Sequence, residues 1–131
     1  MIFLDTNVIS YFFAGDQKVT AKLLKADANG TQICTTAITV YEILKDLKWK
    51  SNHALETRFK AFLQDVSVFV LDDASIDIAS GIYADLRKKG IAIGDADILI
   101  AAIVVRHDGT LVSHNTRHFS CVPRLRLENW Q

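Results

Sequence analysis

Residues 93–113 read IGDADILIAAIVVRHDGTLVS, and this stretch decides the fold class. Every residue from 98 to 105 is apolar, so a helix formed here is apolar on all of its faces and is expected to be buried. We predict that this helix begins near Asp95 and runs to Arg106, and that Gly109 separates it from a short strand at residues 110–113. A buried helix followed directly by an apolar strand is typical of a sheet covered by helices.

The chain on either side repeats this alternation of strand-length and helix-length segments. Further strands are predicted at residues 2–4, 32–35 and 68–71, with a weaker one at 125–127. Helical spacing and helix stop signals predict helices at residues 8–14, 19–28, 38–48 and 53–65, and another from a cap at Asp73 or Ser75 to Lys89. This alternation requires crossover connections, which make neighbouring strands parallel. The sequence therefore predicts an α/β fold, with one domain over residues 1–131 and a mainly parallel central sheet flanked by helices on both faces.

The composition is that of one compact globular domain without a strong net charge. Half of the 131 residues are hydrophobic and 23% are charged, which suits a single buried core. Lys plus Arg and Asp plus Glu number 15 each, so the chain lacks the positive field with which many proteins attract nucleic acids. Clustered carboxylates would offset basic residues elsewhere, and a bound divalent metal would restore the attraction locally.

Nothing in the sequence points to a membrane or to an oxidising compartment. The first residues lack the basic and long apolar segments of a secretory signal, and the longest apolar run, residues 98–105, is too short to span a bilayer. Cys34 and Cys121 show neither zinc-ligand spacing nor a disulfide framework. We therefore expect a cytoplasmic protein with reduced cysteines and no membrane partner.

Acidic side chains stand where an open parallel sheet forms its binding sites, beyond the carboxyl ends of the strands. Asp5 follows the first predicted strand, although it, Thr6 or Asn7 would also make a good helix cap. Asp97 lies in the first turn of the buried helix, where an unpaired carboxylate is costly unless a dipole, hydrogen bonds or a metal compensates it. Either Asp95 or Asp97 can cap that helix, but two acids exceed what capping requires.

Glu42 is a third candidate with less local support. It lies on the polar face of its predicted helix, beside Thr39, Lys45 and Asp46, which by itself favours a solvated surface residue. Its company changes this interpretation, because several carboxylates brought together cannot all stay ionised without cations. Mg²⁺ or Mn²⁺ resolves the conflict, since both prefer oxygen ligands and keep waters for a substrate. Such a centre is typical of enzymes that hydrolyse phosphodiesters.

Several segments of the chain, taken in order, resemble the motifs of the PIN-domain family and specifically of its VapC type. The segment FLDTN at residues 3–7 is followed by a Thr-to-Glu segment at residues 36–42, by IGDADILIAA at 93–102 and by LVSHNTRHF at 111–119. Residues 122–130 match the family's usual tail. Each segment alone is weak, but their order and spacing over essentially the whole chain are specific.

The resemblance implies a set of metal-binding and catalytic residues. The family's three core acids correspond to Asp5, Glu42 and Asp97, which are expected to bind Mg²⁺ or Mn²⁺. Asp95 precedes the third acid and is an accessory candidate. A fourth acid of the wider family corresponds to Asn115, whose neutral amide leaves open how tightly a second metal is held.

Polar residues after the last core strand complete the set of candidates. In the family, the hydroxyl at the position of Ser113 is thought to orient a metal-bound water. His114, Arg117 and His118 are candidate contacts to RNA phosphates, although a polar turn after a strand also occurs without any function.

By resemblance, the chain is a divalent-metal-dependent endoribonuclease that acts as the toxin of a toxin–antitoxin pair and hydrolyses a structured RNA, either a transfer RNA or a ribosomal RNA. The resemblance also implies a homodimer and a cognate antitoxin whose C-terminal segment lies in a groove beside the active site. The alternatives are a non-toxin PIN nuclease of RNA processing and a degenerate PIN module that binds RNA or protein without cleaving it. A haloacid-dehalogenase-type phosphatase is disfavoured, because its second aspartate would fall at Asn7.

Overall fold

A five-stranded sheet forms the centre of the computed structural model, which describes all 131 residues. The strands are β1 (Ile2–Leu4), β2 (Ile33–Thr36), β3 (Ser67–Phe69), β4 (Thr110–Val112) and β5 (Arg126–Glu128). The helices are α1 (Thr6–Phe13), α2 (Gln17–Ala28), α3 (Ala37–Trp49), α4 (His53–Phe62), α5 (Asp73–Lys88), α6 (Asp95–Arg106) and α7 (Thr116–Phe119), and a 3-10 turn follows α4 at Leu63–Asp65. The strand order is β3-β2-β1-β4-β5, and every neighbouring pair is parallel.

Each face of the sheet buries its own apolar core, because successive side chains of a strand point to opposite faces. Phe3 and Leu111 pack with residues of α5, α6 and α7 on one face. Leu4 and Val112 pack with residues of α1, α2, α3 and α4 on the other. The predicted α/β fold, with helices on both faces of a parallel sheet, is confirmed.

Helix α6 is the buried helix that the apolar run predicts. Its residues 100–104 are all fully buried. The alternative in which Asp95 or Asp97 caps this helix is wrong, because the N-cap is Gly94 and no side chain caps the helix. Asp95 and Asp97 both lie inside its first turn, so neither carboxylate is there to serve as a cap.

Other local features of the structure also differ from the sequence-based predictions. Strand β3 ends at Phe69 because its partner β2 ends at Thr36, the residue paired with Phe69, so the predicted extension to Leu71 has no partner strand. The cap of α5 is Asp72, in a reciprocal pair of hydrogen bonds with Ser75. The single-turn helix α7 was not predicted, because four residues are too few to show a helical period.

Both cysteines are unpaired, and one of them lies in an apolar core. Cys34 and Cys121 are free, and burial raises the pKa of the Cys34 thiol to about 11. Cys34 is therefore a protonated packing residue of the core. None of the helices combines the length and the apolar character that a bilayer crossing requires.

Candidate active site

An acidic pocket of about 450 Å³ opens at the carboxyl edge of the sheet. The loops after β1 and β4 meet there with α1, α3 and the first turn of α6, as the topology of an open parallel sheet predicts. The residues that line the acidic pocket are Asp5, Thr6, Asn7, Ser10, Tyr11, Glu42, Asp97 and Asn115. The fold thus brings the three predicted acids and Asn115 from four separate segments to one surface.

Asp5 is the most buried of the three acids, with 5% of its surface exposed. Its Oδ1 accepts a hydrogen bond from the backbone N–H of Thr6 at 2.8 Å. Its Oδ2 accepts one from the hydroxyl of Ser113 at 2.7 Å. Asp5 is also the N-cap of α1, so the capping role and a place in the acidic pocket belong to the same side chain.

The surroundings of Asp5 raise the pKa of its carboxyl. Burial is the largest cause, and the hydrogen bonds from Ser113 and Thr6 act against it. The negative charges of Asp97 and Glu42 raise the pKa further. A buried carboxylate that faces two others is the electrostatic arrangement expected where a protein binds a cation.

Thr6 connects two of the acids through two of its own groups. Its backbone N–H donates to Asp5, and its hydroxyl donates to Oε1 of Glu42 at 2.8 Å. Glu42 reaches the acidic pocket from the second turn of α3, which begins after the cap formed by Thr36. The half-buried Glu42 is therefore not the solvated residue that the polar face of its helix suggests in isolation.

Asp97 faces an imidazole that α7 supplies. The Asp97 side chain is 26% exposed, and its Oδ2 lies 3.5 Å from Nδ1 of His118. The same ring nitrogen lies 3.1 Å from the amide nitrogen of Asn115. Of all the basic side chains, only that of His118 lies within 4.0 Å of a carboxylate oxygen of the acidic pocket.

Ser113 and His114 lie in the loop after β4, and each makes contacts that the sequence did not predict. The Ser113 hydroxyl donates to Asp5 and accepts the backbone N–H of Asn115 at 2.9 Å, so in this structure it positions two pocket residues. The ring of His114 packs on Tyr11, and both of its nitrogens are buried without a hydrogen-bond partner in the protein. In this orientation the ring cannot contact an RNA phosphate.

Two other predicted residues lie outside the acidic pocket. Asp95 is exposed and lies with Tyr83 and Leu99 in a separate depression between α5 and α6. Arg117 is exposed on α7 and does not line the acidic pocket. The two acids of the α6 first turn therefore occupy different surfaces, although only one residue separates them.

The acidic pocket offers the oxygen donors that Mg²⁺ and Mn²⁺ prefer. Asp5, Glu42 and Asp97 supply carboxylates, and Asn115 supplies an amide oxygen. In their present rotamers no three His, Cys, Asp or Glu side chains converge closely enough to hold one ion. Binding by all three acids therefore requires side-chain rotation, for which the half-buried Asp97 is freer than the buried Asp5.

Four of the eight pocket residues were not predicted as site residues: Thr6, Asn7, Ser10 and Tyr11. Thr6 was identified only as an alternative helix cap, because its partner Glu42 lies 36 positions away in the chain. Tyr11 carries no motif, and its neighbour His114 comes from the far end of the chain. Only the fold reveals either contact.

Comparisons with known proteins identify the family of this chain. The PIN domain family model matches residues 2–125. Ribonuclease VapC2 of Haemophilus influenzae is 31% identical over 129 residues, covering 97% of this chain and 96% of the relative. The tRNA(fMet)-specific endonuclease VapC of Salmonella typhimurium is 27% identical over 106 residues, covering 78% of each chain. A crystal structure of VapBC2 from Rickettsia felis bound to a DNA fragment from their promoter matches with a TM-score of 0.92, at 25% identity, over 100% of both chains.

A parallel α/β domain with acids gathered at the carboxyl edge of its sheet has the architecture of a PIN domain. The chain belongs to the PIN-domain family and, within it, to the VapC group. The resemblance seen in the sequence is thereby confirmed, and with it the prediction of a nuclease that hydrolyses phosphodiester bonds.

Proposed function

We propose that this chain is a divalent-metal-dependent endoribonuclease and the toxin of a toxin–antitoxin pair. The observation that carries the proposal is the convergence of Asp5, Glu42 and Asp97 on one pocket. Membership of the VapC group supports the class of reaction. The mutual repulsion of the acids supports the need for a cation, because clustered carboxylates stay ionised together only when a cation compensates them.

The proposed ligands of Mg²⁺ or Mn²⁺ are Asp5, Glu42 and Asp97, with the amide oxygen of Asn115 as a neutral fourth donor. When bound, the ion supplies an activated water and neutralises charge on the phosphate. The hydrogen bonds that Thr6 and Ser113 donate to Asp5 keep its carboxylate in one orientation. Holding a ligand in place before the substrate arrives is how such supporting residues contribute to catalysis.

A single-stranded segment of a structured RNA is the proposed substrate, because only unpaired regions expose both bases and backbone to a pocket of this size. The Salmonella typhimurium relative is named for its action on tRNA(fMet), so transfer RNA is the first substrate to test, ahead of ribosomal RNA. His118, half exposed beside Asp97, and Arg117 in the same turn are the proposed phosphate contacts. Asp95 stays a candidate only for an indirect effect on metal binding.

A cognate antitoxin is the proposed protein partner, since the Rickettsia felis structure is that of a VapBC complex. A mainly apolar groove of about 380 Å³ runs between α1, α3 and α4 and shares Thr6, Ser10 and Glu42 with the acidic pocket. This groove is where we place the antitoxin segment that the family resemblance implies. A homodimer is likewise proposed from the resemblance.

A non-toxin nuclease of RNA processing is the second candidate, and it would use the same acids in another biological setting. The presence of all three acids at one pocket disfavours a degenerate module that binds without cleaving. Arrest of growth on expression without an antitoxin distinguishes the toxin from the processing nuclease.

The deciding experiment incubates the purified chain with total transfer RNA in Mg²⁺, in Mn²⁺ and in excess EDTA. Cleavage is expected with either ion and not with EDTA. Asp5→Asn is expected to lower the rate by more than about 100-fold, because even residues that only orient a metal ligand contribute about 10- to 100-fold. The matched control is Asp77→Asn, an exposed carboxylate of α5, which should leave cleavage unchanged. Undiminished cleavage in EDTA, or full activity of Asp5→Asn, would overturn the proposal.

A further inference from the structure

Tyr11 is the one large apolar side chain in the wall of the acidic pocket. The tyrosine is 42% exposed, and it belongs to neither of the two apolar cores. It lies in α1, in the second turn after Asp5 and Thr6. A half-exposed aromatic ring in a wall that is otherwise polar is not explained by packing or by metal binding.

The ring of Tyr11 packs against the imidazole of His114. The two ring centroids are 4.8 Å apart, with an angle of 36° between the planes. Because neither ring nitrogen of His114 has a hydrogen-bond partner, the imidazole acts on Tyr11 by packing. The backbone N–H of His114 donates to Oδ1 of Asn7 at 3.3 Å, which ties the loop after β4 to the start of α1. No second aromatic ring packs on Tyr11, and the residue stays partly exposed at the surface.

We propose that Tyr11 is a stacking surface for one nucleobase of a single-stranded RNA, beside the phosphodiester that the acidic pocket receives. The inference rests on the proposed function, because RNA must enter this pocket. Proteins bind unpaired bases on aromatic rings, and such stacking tolerates any base sequence. Because Tyr11 lines the same pocket as Asp5, Glu42 and Asp97, the stacked base belongs to a nucleotide at or next to the cleaved bond.

The charge of the acidic pocket favours a base over a phosphate at this position. Three carboxylates repel a phosphate wherever no cation intervenes, whereas a neutral base stacks on a tyrosine without that cost. Tyr11 thus provides substrate affinity from the neutral part of the nucleotide, in a chain with no excess of basic residues.

A thermodynamic cycle of two protein variants and two defined probes tests the proposal. One probe is a fluorescent oligoadenylate, and the other is a fluorescent abasic ribose-phosphate oligomer of the same length. Binding is measured by anisotropy to Asp5→Asn and to Asp5→Asn/Tyr11→Leu, since the Asp5 substitution prevents cleavage during the titration. Leucine keeps the apolar contact with His114 and removes the aromatic face. We expect Tyr11→Leu to weaken oligoadenylate binding about 5- to 150-fold, the range that one stacked base contributes, and to leave abasic binding unchanged.

Tyr11→Phe, which keeps the ring, is the conservative control and should bind both probes as the parent does. Equal losses on the two probes, no loss on oligoadenylate, or no binding of oligoadenylate to the parent would each overturn the stacking assignment. Mn²⁺ titration of Tyr11→Leu in the chain that keeps Asp5 checks that the acidic pocket is intact, and thermal unfolding of each variant checks the fold. Because the cycle requires no cleavage, a wild-type chain that fails to cut RNA counts against the proposed function and not against this inference.

Discussion

Thr6 donates two hydrogen bonds to acids of the acidic pocket, one from its backbone N–H to Asp5 and one from its hydroxyl to Glu42. The backbone N–H bond to Asp5 depends on where α1 begins, and any residue except proline that continues the helix preserves it. The hydroxyl bond to Glu42 depends on the side chain alone. A substitution at Thr6 therefore changes the environment of Glu42 without removing the bond to Asp5.

Thr6→Val keeps the branched shape and removes the hydroxyl, whereas Thr6→Ser keeps the hydroxyl. We expect Thr6→Val to lower cleavage and Mn²⁺ affinity about 10- to 100-fold, as the loss of an orienting hydrogen bond on a metal ligand does. Thr6→Ser should retain the wild-type cleavage rate and the wild-type Mn²⁺ affinity. Single-turnover cleavage and isothermal titration with Mn²⁺ measure the two effects. Full activity and metal affinity of Thr6→Val would show that Thr6 does not position Glu42.

At the scale of elements, the first turn of α6 carries two acids, Asp95 and Asp97, that lie at the same helix terminus but line different surfaces of the protein. Each lies near the positive end of the helix dipole, which stabilises a carboxylate by about 0.3–1 kcal/mol. Since Gly94 is the N-cap, neither Asp95 nor Asp97 contributes a capping bond. Only Asp97 lines the acidic pocket, because the turn of the helix directs Asp95 towards α5.

Asp95→Asn and Asp97→Asn form a matched pair for separating helix stability from catalysis. Each loses a dipole interaction of about 0.3–1 kcal/mol, but only Asp97→Asn also relieves the repulsion with Asp5, so in EDTA Asp95→Asn should melt slightly below wild type and Asp97→Asn no lower than Asp95→Asn. Cleavage should fall by orders of magnitude for Asp97→Asn, the proposed metal ligand, and stay near wild type for Asp95→Asn. Melting curves in EDTA and cleavage rates in Mg²⁺ measure the two properties on the same samples. Equal losses of activity would mean that Asp97 has no special role.

At the scale of the whole molecule, the acidic pocket opposes folding when no metal is present. The raised pKa of Asp5 means that the folded protein holds this proton more tightly than the unfolded chain does. Ionisation of Asp5 therefore costs stability. The cost is absent below the ordinary aspartate pKa of about 3.9 and is complete once the pH exceeds the raised pKa of the folded state.

Asp5→Asn removes this cost while an amide oxygen remains to accept the Thr6 bond. In EDTA at neutral pH we expect the variant to melt higher than wild type, and each kcal/mol gained corresponds to about 4 °C for a domain of this size. The difference should shrink to nothing as the pH falls below about 4. Added Mn²⁺ should stabilise wild type more than the variant, because only wild type keeps the full set of ligands.

Thermal unfolding in EDTA across this pH range, with Asp77→Asn as the exposed-carboxylate control, makes the measurement. A wild-type chain that is more stable than Asp5→Asn at neutral pH without metal would show that the capping role of Asp5 outweighs the repulsion in the acidic pocket.

The amino-acid sequence by itself determined the fold class and most of the elements. Apolar runs and helical periods are local properties, so the buried helix α6 and the five strands are visible before any tertiary contact is known. The motif order pointed to Asp5, Glu42 and Asp97 as one group. The fold class needed only which residues are apolar and how far apart they stand, whereas the choice of these three acids depended on the resemblance to the PIN-domain family.

Tertiary structure alone decided which side chains meet. Ser113 reaches Asp5 across 108 positions and Thr6 reaches Glu42 across 36, and no local pattern encodes either distance. Tertiary structure also directed Asp95 and Asp97 to different surfaces and placed Tyr11 in the wall of the acidic pocket. The physical reason is that a periodic pattern shows which face of a helix is buried, whereas the packing of that helix against its neighbours determines what each exposed side chain faces.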